Sequence, residues 1–189
     1  MLQGMEVFLA LANHHPNEEF RAYGAGPYPE VVEHLEGLQK DIPNFKFMGS
    51  LPRGRPHREA FCRAKTFVMP TQQPEAFGLT IVEAMSKGVP VIGSTQGSLP
   101  ELIEPADLEP GESLGISTES MSDMSRALSA EYNRTFIQSS ARSRYHVNAS
   151  LLQLLQHSCE LLEASGGGSE TTTPPTAEPT PATMKGDEL

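Results

Sequence analysis

Two glutamates, Glu75 and Glu83, stand with seven residues between them, and Phe77-Gly78-Leu79 lies in the interval. Ionised carboxylates only accept hydrogen bonds, so a pair of them suits a hydroxyl-rich partner. A helix opening near Gly78 puts Glu75 in the preceding loop and Glu83 inside the helix, four residues after Leu79 on the same face. The unpaired N–H groups of that helix start, and its dipole, favour an anion in the adjoining space. A ligand with phosphate in the middle and hydroxyls at both ends, as in a nucleotide-sugar, fits this layout.

Plainer readings stand beside these. Glu75 also suits a solvated loop carboxylate that caps the helix at 78. Glu83 also suits an exposed helix residue paired with Lys87 at i+4, worth only ~0.3–0.5 kcal/mol. Gly24-Ala25-Gly26-Pro27 lacks the third glycine of a dinucleotide fingerprint and serves as a strand-to-helix turn. The basic run Arg53, Arg55, His57, Arg58, Arg63 and Lys65 reads as a solvated helix face, with a phosphate clamp as the sharper alternative. Neither the histidines nor Cys62 and Cys159 have metal-ligand spacing, and the two cysteines read as buried free thiols.

The surrounding pattern alternates short apolar strands with helices. Helices are expected over 5–14, 29–40, 57–65, 78–87 and 98–103, then from Ser120 and over 148–164, with the connection 132–147 partly helical. Strands are expected over 19–23, 45–48, 66–69 and 89–93, with a weaker one at 113–116. Such alternation indicates parallel crossover units, hence an α/β doubly wound sheet. Ligands of such sheets bind beyond the strand carboxyl ends, which makes the loop Met48 to Leu51 a candidate for base contacts through Gly49 and Ser50.

Composition narrows the function classes. The 24 acidic against 14 basic residues disfavour nucleic acid and anionic membranes as partners. No apolar run reaches the ~20 residues of a membrane span, and no signal peptide is visible, so a cytoplasmic location is expected. The final Lys185-Gly186-Asp187-Glu188-Leu189 has glycine where an ER-retention signal has lysine or histidine. From Ser165 the chain is rich in Gly, Thr, Pro and Glu and is expected to be disordered. The division is therefore a nucleotide-sugar-binding domain over 1–164 and a tail over 165–189.

PEAFGLTIVEAMSKGVPVIGS resembles the donor-binding signature of retaining GT-B glycosyltransferases, those of glycosyltransferase family four. The elements occur in order: Glu75, Phe77-Gly78, Glu83-Ala84-Met85, Gly88-Val89-Pro90-Val91 and Gly97-Ser98-Leu99-Pro100-Glu101. Similarity extends diffusely from about Gly4 to Leu162. The resemblance implies a Rossmann-like donor domain for a UDP- or GDP-sugar, with no metal and no cofactor. It makes Glu75 the catalytic-site contact to the hexose, Phe77, Gly78 and Leu79 the source of N–H groups for sugar and phosphate, and Glu83 the acceptor for the ribose hydroxyls. It also implies a first strand ending in Arg, followed by a Lys-Gly pair. Here Gln3-Gly4 occupies that place, and nothing in the 189 residues is long enough to supply the acceptor domain that the resemblance implies. The expectation is a truncated chain whose strands at 19–23 and 66–69 either pair or each present an open edge. Whether the chain is an active enzyme, an inactive binding module or a subunit needing a partner chain stays open at this point.

Overall fold

Asn44 ties the first helix to the strand that follows the second. Its side-chain amide faces the carbonyls of Ala12, His15 and Glu18 at 2.9, 3.0 and 2.9 Å. The computed structural model describes residues 4–24 and 29–146. Helix α1 (Met5–His14) is followed by β1 (Phe20–Ala22), α2 (Pro29–Asp41) and β2 (Phe45–Phe47). Then come α3 (Arg55–Arg63), β3 (Phe67–Met69), α4 (Leu79–Met85), β4 (Val91–Gly93) and α5 (Leu99–Ile103). The described part closes with β5 (Gly115–Ser117), α6 (Met121–Leu128) and α7 (Arg134–Tyr145).

Local chemistry accounts for the helix ends. Ser120 Oγ accepts from the Asp123 N–H at the start of α6, and Asn133 Oδ1 accepts from the Phe136 N–H at the start of α7. Each satisfies one of the donors a helix start leaves unpaired. Pro29 opens α2, where a missing N–H costs nothing. Each of α1 to α5 then leads to the next parallel strand.

The five strands of the described residues are all parallel, and they form two sheets. Phe20, Arg21 and Ala22 pair with Phe45, Lys46 and Phe47. Phe67, Val68 and Met69 pair with Val91, Ile92 and Gly93, and β4 pairs with β5 in turn. β1 and β3 do not pair. Their edges face a cavity of about 910 Å³ lined by Phe20, Arg21 and Ala22 on one side and Phe67, Val68 and Met69 on the other. Of the two outcomes the sequence left open, each edge stays open. The fold is thus the expected α/β arrangement, with the sheet divided.

Two apolar clusters lie against the strands. Ile81, Met85, Val91, Leu99, Ile103 and Leu114 pack with α7 through Ile137 and Ala141. Leu11, Phe20, Phe45, Ile92, Met124 and Leu128 form the second, between α1 and α6. The ring of Phe8 meets Phe20 and Phe45 edge-on, with centroids 5.3 and 6.4 Å apart. Such contacts add ~0.5–1.5 kcal/mol beyond area burial. Val68 belongs to one cluster and Phe67 and Met69 to the other, as strand alternation requires.

Three local expectations change. Cys62 is exposed, not buried, because Phe61 takes the inward position of α3 and the next residue lies ~100° around the helix. Helical spacing puts Met5, Phe8, Leu9 and Ala12 on the inward face of α1, yet Leu11 is fully buried as well, since α1 also packs on α6. Helix α3 begins two residues earlier than expected, after Gly54. The expected helix over 148–164, Cys159 and the tail lie outside the described residues, as do residues 25–28.

Candidate functional site

The segments that follow β1, β2 and β3 at their carboxyl ends line part of the 910 Å³ cavity, which Glu18, Glu19, Arg63, Lys65 and Thr66 line as well. Gly24 follows β1, and Ser50, Leu51 and Arg53 follow β2. Pro70 follows β3, and Thr80 and Glu83 belong to α4. The Gly24 N–H donates to the Gly49 carbonyl at 2.9 Å, which joins the first two loops. Crevices at this edge of a parallel sheet are where such folds hold ligands.

Glu83 is brought to this rim and does not pair with Lys87. Its Oε2 lies 3.5 Å from His57 Nε2 and its Oε1 4.0 Å from Arg53, with the carboxylate 37% exposed. The i+4 partner considered from sequence is replaced by two residues of the basic run. Arg53 is 91% exposed, so its contribution is small. Other members of that run turn elsewhere: Arg55 pairs with Glu59, and Lys65 pairs with Glu18.

Glu75 is positioned by main chain. Glu75 and Gly97 form an isolated parallel bridge, and the Ser98 N–H donates to the Glu75 carbonyl at 2.9 Å. Its Oε1 accepts from the Gly78 N–H at 3.1 Å. That is the capping geometry considered from sequence, and it leaves Oε2 available. Gly78 precedes α4 with φ 73°, a left-handed conformation that favours glycine. A Cβ there would also stand 3.1 Å from Leu102 and 3.2 Å from Ile81. Phe77 and Leu79 on either side are exposed, and the Phe77 ring meets Tyr145 edge-on at 6.3 Å.

The structure therefore gathers Glu83 and Ser50 on the cavity rim. Glu75, Phe77, Gly78, Leu79 and Gly49 do not line that cavity. Gly49 stands behind it, holding Gly24.

A model of the group 1 glycosyl transferases matches residues 3–130. The chain belongs to that family. Among curated relatives of this group 1 glycosyltransferase chain, sulfoquinovosyl transferase SQD2 of Arabidopsis thaliana is 34% identical over 107 residues, covering 57% of this chain and 20% of the relative. O-antigen chain mannosyltransferase B of Escherichia coli is 52% identical over 48 residues, 25% of this chain and 12% of the relative. Sucrose-phosphate synthase from Thermosynechococcus elongatus superposes with TM-score 0.64 at 21% identity, over 86% of this chain and 43% of that one. Anabaena HepE, solved with UDP, gives 0.63 at 20% identity, over 86% and 45%. At such identities the superpositions establish the Rossmann-like fold. This chain spans a fifth or less of the length of these curated relatives.

Two further residues of this chain matter to the site and carry no signal of it in the sequence. His57 was read only as part of a charged run, and its proximity to Glu83 depends on α3 meeting α4. Glu119 accepts from the Thr95 N–H at 2.8 Å and the Thr95 hydroxyl at 2.7 Å. These bonds, with the Gln96 amide, hold its carboxyl below the usual carboxylate range. The loop it fixes, Thr95 to Ser98, is the one that braces Glu75. A folded value below the unfolded one means stability present above the ordinary value near 4.5 and lost as pH falls through the folded value. Glu119→Ala is expected to cost under about 1 kcal/mol at neutral pH, because the group is exposed. Thermal midpoints measured from pH 7 to pH 3 should then converge for variant and wild type at the acid end.

Proposed function

We propose that the chain binds a nucleoside diphosphate sugar and is the donor-binding half of a retaining glycosyltransferase of GT-B type. The observation that carries this is Glu83, a carboxylate held at the cavity rim beyond the carboxyl ends of three parallel strands in a group 1 glycosyltransferase chain. Solved relatives support the class: Anabaena HepE was obtained with UDP, with UDP and glucose, and with UDP-glucose.

In this reading Glu83 accepts hydrogen bonds from the ribose hydroxyls, and Gly49 and Ser50 offer main-chain groups to the base. Glu75 orients the hexose through its free carboxylate oxygen, and the Phe77 and Leu79 N–H groups supply donors to sugar and phosphate, the Gly78 N–H being taken by Glu75. Donors already in place stabilise charge that grows on the departing diphosphate as the glycosidic bond stretches. Arg53, exposed beside Glu83, is the member of the basic run placed to meet phosphate. A separate acceptor-binding domain would complete the transferase, and the site of action in this reading is the cytoplasm. Among the described residues, no helix is long and apolar enough to cross a membrane.

A second reading is an inactive binding module or a subunit completed by a partner chain. The open edges of β1 and β3 across the cavity favour it. Calorimetric titration of the full chain with UDP-glucose and GDP-mannose tests the first reading. Saturable binding with one site is expected for at least one of them. No heat with either, from a folded chain, overturns the donor-binding assignment.

A further inference from the structure

The structure assigns to His57 a positioning role: it sets the orientation of the Glu83 carboxylate for a vicinal diol of the bound nucleotide. This deepens the donor-binding reading and rests on it. A carboxylate has about four lone-pair sites, and a cis-diol occupies two. One of those remaining on Oε2 faces His57 Nε2 at 3.5 Å, the long end of contact and the kind that tightens when a ligand arrives. At 3.5 Å no hydrogen bond is formed yet, and a diol drawing Glu83 inward would let the His57 Nε2–H close on Oε2 from the side of α3.

His57 can do this because it is itself held. Its ring meets Phe61, one turn later in α3, edge-on with centroids 5.0 Å apart. Phe61 is buried and packs in turn against Phe67 of β3, at 5.7 Å. The imidazole is 24% exposed, whereas Arg53, the other cation near Glu83, is 91% exposed. A side chain with one face in the core fixes a partner's rotamer, and a solvated guanidinium on a long stem does not. Glu83 has no other ion-pair partner among the described residues.

The test compares UDP and GDP with their 2′-deoxy counterparts, titrated calorimetrically into the full chain. Wild type is expected to prefer the ribonucleotide. His57→Ala should reduce that ribo-to-deoxy preference by about three- to tenfold, the size of one ordinary hydrogen bond. His57→Gln, which keeps an N–H donor, should restore part of it. A thermal melt of each variant separates this from a folding defect, and the glutamine variant stands if the alanine variant unfolds. Full ribo-to-deoxy preference in a folded His57→Ala, or in a His57→Asp variant without a donor, overturns the role of His57 alone. Absence of binding, or of any preference in wild type, overturns the reading of Glu83 and this inference with it.

Discussion

Gly97→Ala destabilises the fold by roughly 2–5 kcal/mol and releases Glu75. Gly97 has φ 64°, where an L side chain costs ~1–2 kcal/mol. A Cβ there would also lie 2.3 Å from the Glu75 carbonyl oxygen and 2.5 Å from its nitrogen. Both are backbone atoms that cannot swing aside, so overpacking adds ~1–3 kcal/mol. Relief comes only by opening the Glu75–Gly97 bridge, and with it the Ser98 N–H bond to the Glu75 carbonyl. Urea denaturation reads the first effect, and titration with a nucleotide-sugar reads the second. Gly111→Ala is the matched control: φ is 91°, but nothing stands within 4 Å of the added Cβ. It should lose only the ~1–2 kcal/mol of conformational strain and leave the ligand affinity alone. Equal losses in the two variants would remove the steric argument.

Glu83→Ala lowers affinity for the nucleotide by about a hundredfold to ten-thousandfold while the thermal midpoint barely moves. Two hydrogen bonds to a charged acceptor are each worth ~1.5–3 kcal/mol, and a tenfold change in affinity is ~1.4 kcal/mol. On the stability side, little is lost. The Arg53 and His57 contacts are long and partly solvated, and alanine is the stronger helix former. Calorimetry of wild type and variant with the better-binding nucleotide checks the first half, and a melt checks the second. A variant that binds normally leaves Glu83 as a rim carboxylate without a ribose.

Much of this molecule is legible along the chain because its elements obey local rules. Ser120 with Asp123 marks the start of α6, and the apolar run ended by Pro70 marks β3. The order of helices and strands to residue 145 follows from such signals, and so does the parallel α/β class. The linked motif from Glu75 to Glu101 likewise carries the family, since it is a property of sequence order. Cys62 shows where local rules stop: its neighbour Phe61 competes for the same inward direction, and packing volume decides between them.

Contacts between distant segments are another matter. That Glu83 faces His57 and Arg53 and not Lys87 depends on how α3 lies against α4. That Glu75 is braced by Gly97, and that loop by Glu119, depends on loops beyond β3, β4 and β5 meeting at one edge. So does the open slot between β1 and β3. Residue order determined the elements, the parallel class and the family, because capping, turn and alternation act over a few neighbours. The site's partners were decided only by the tertiary structure, because helix packing and sheet pairing join residues whose separation along the chain carries no periodic signal.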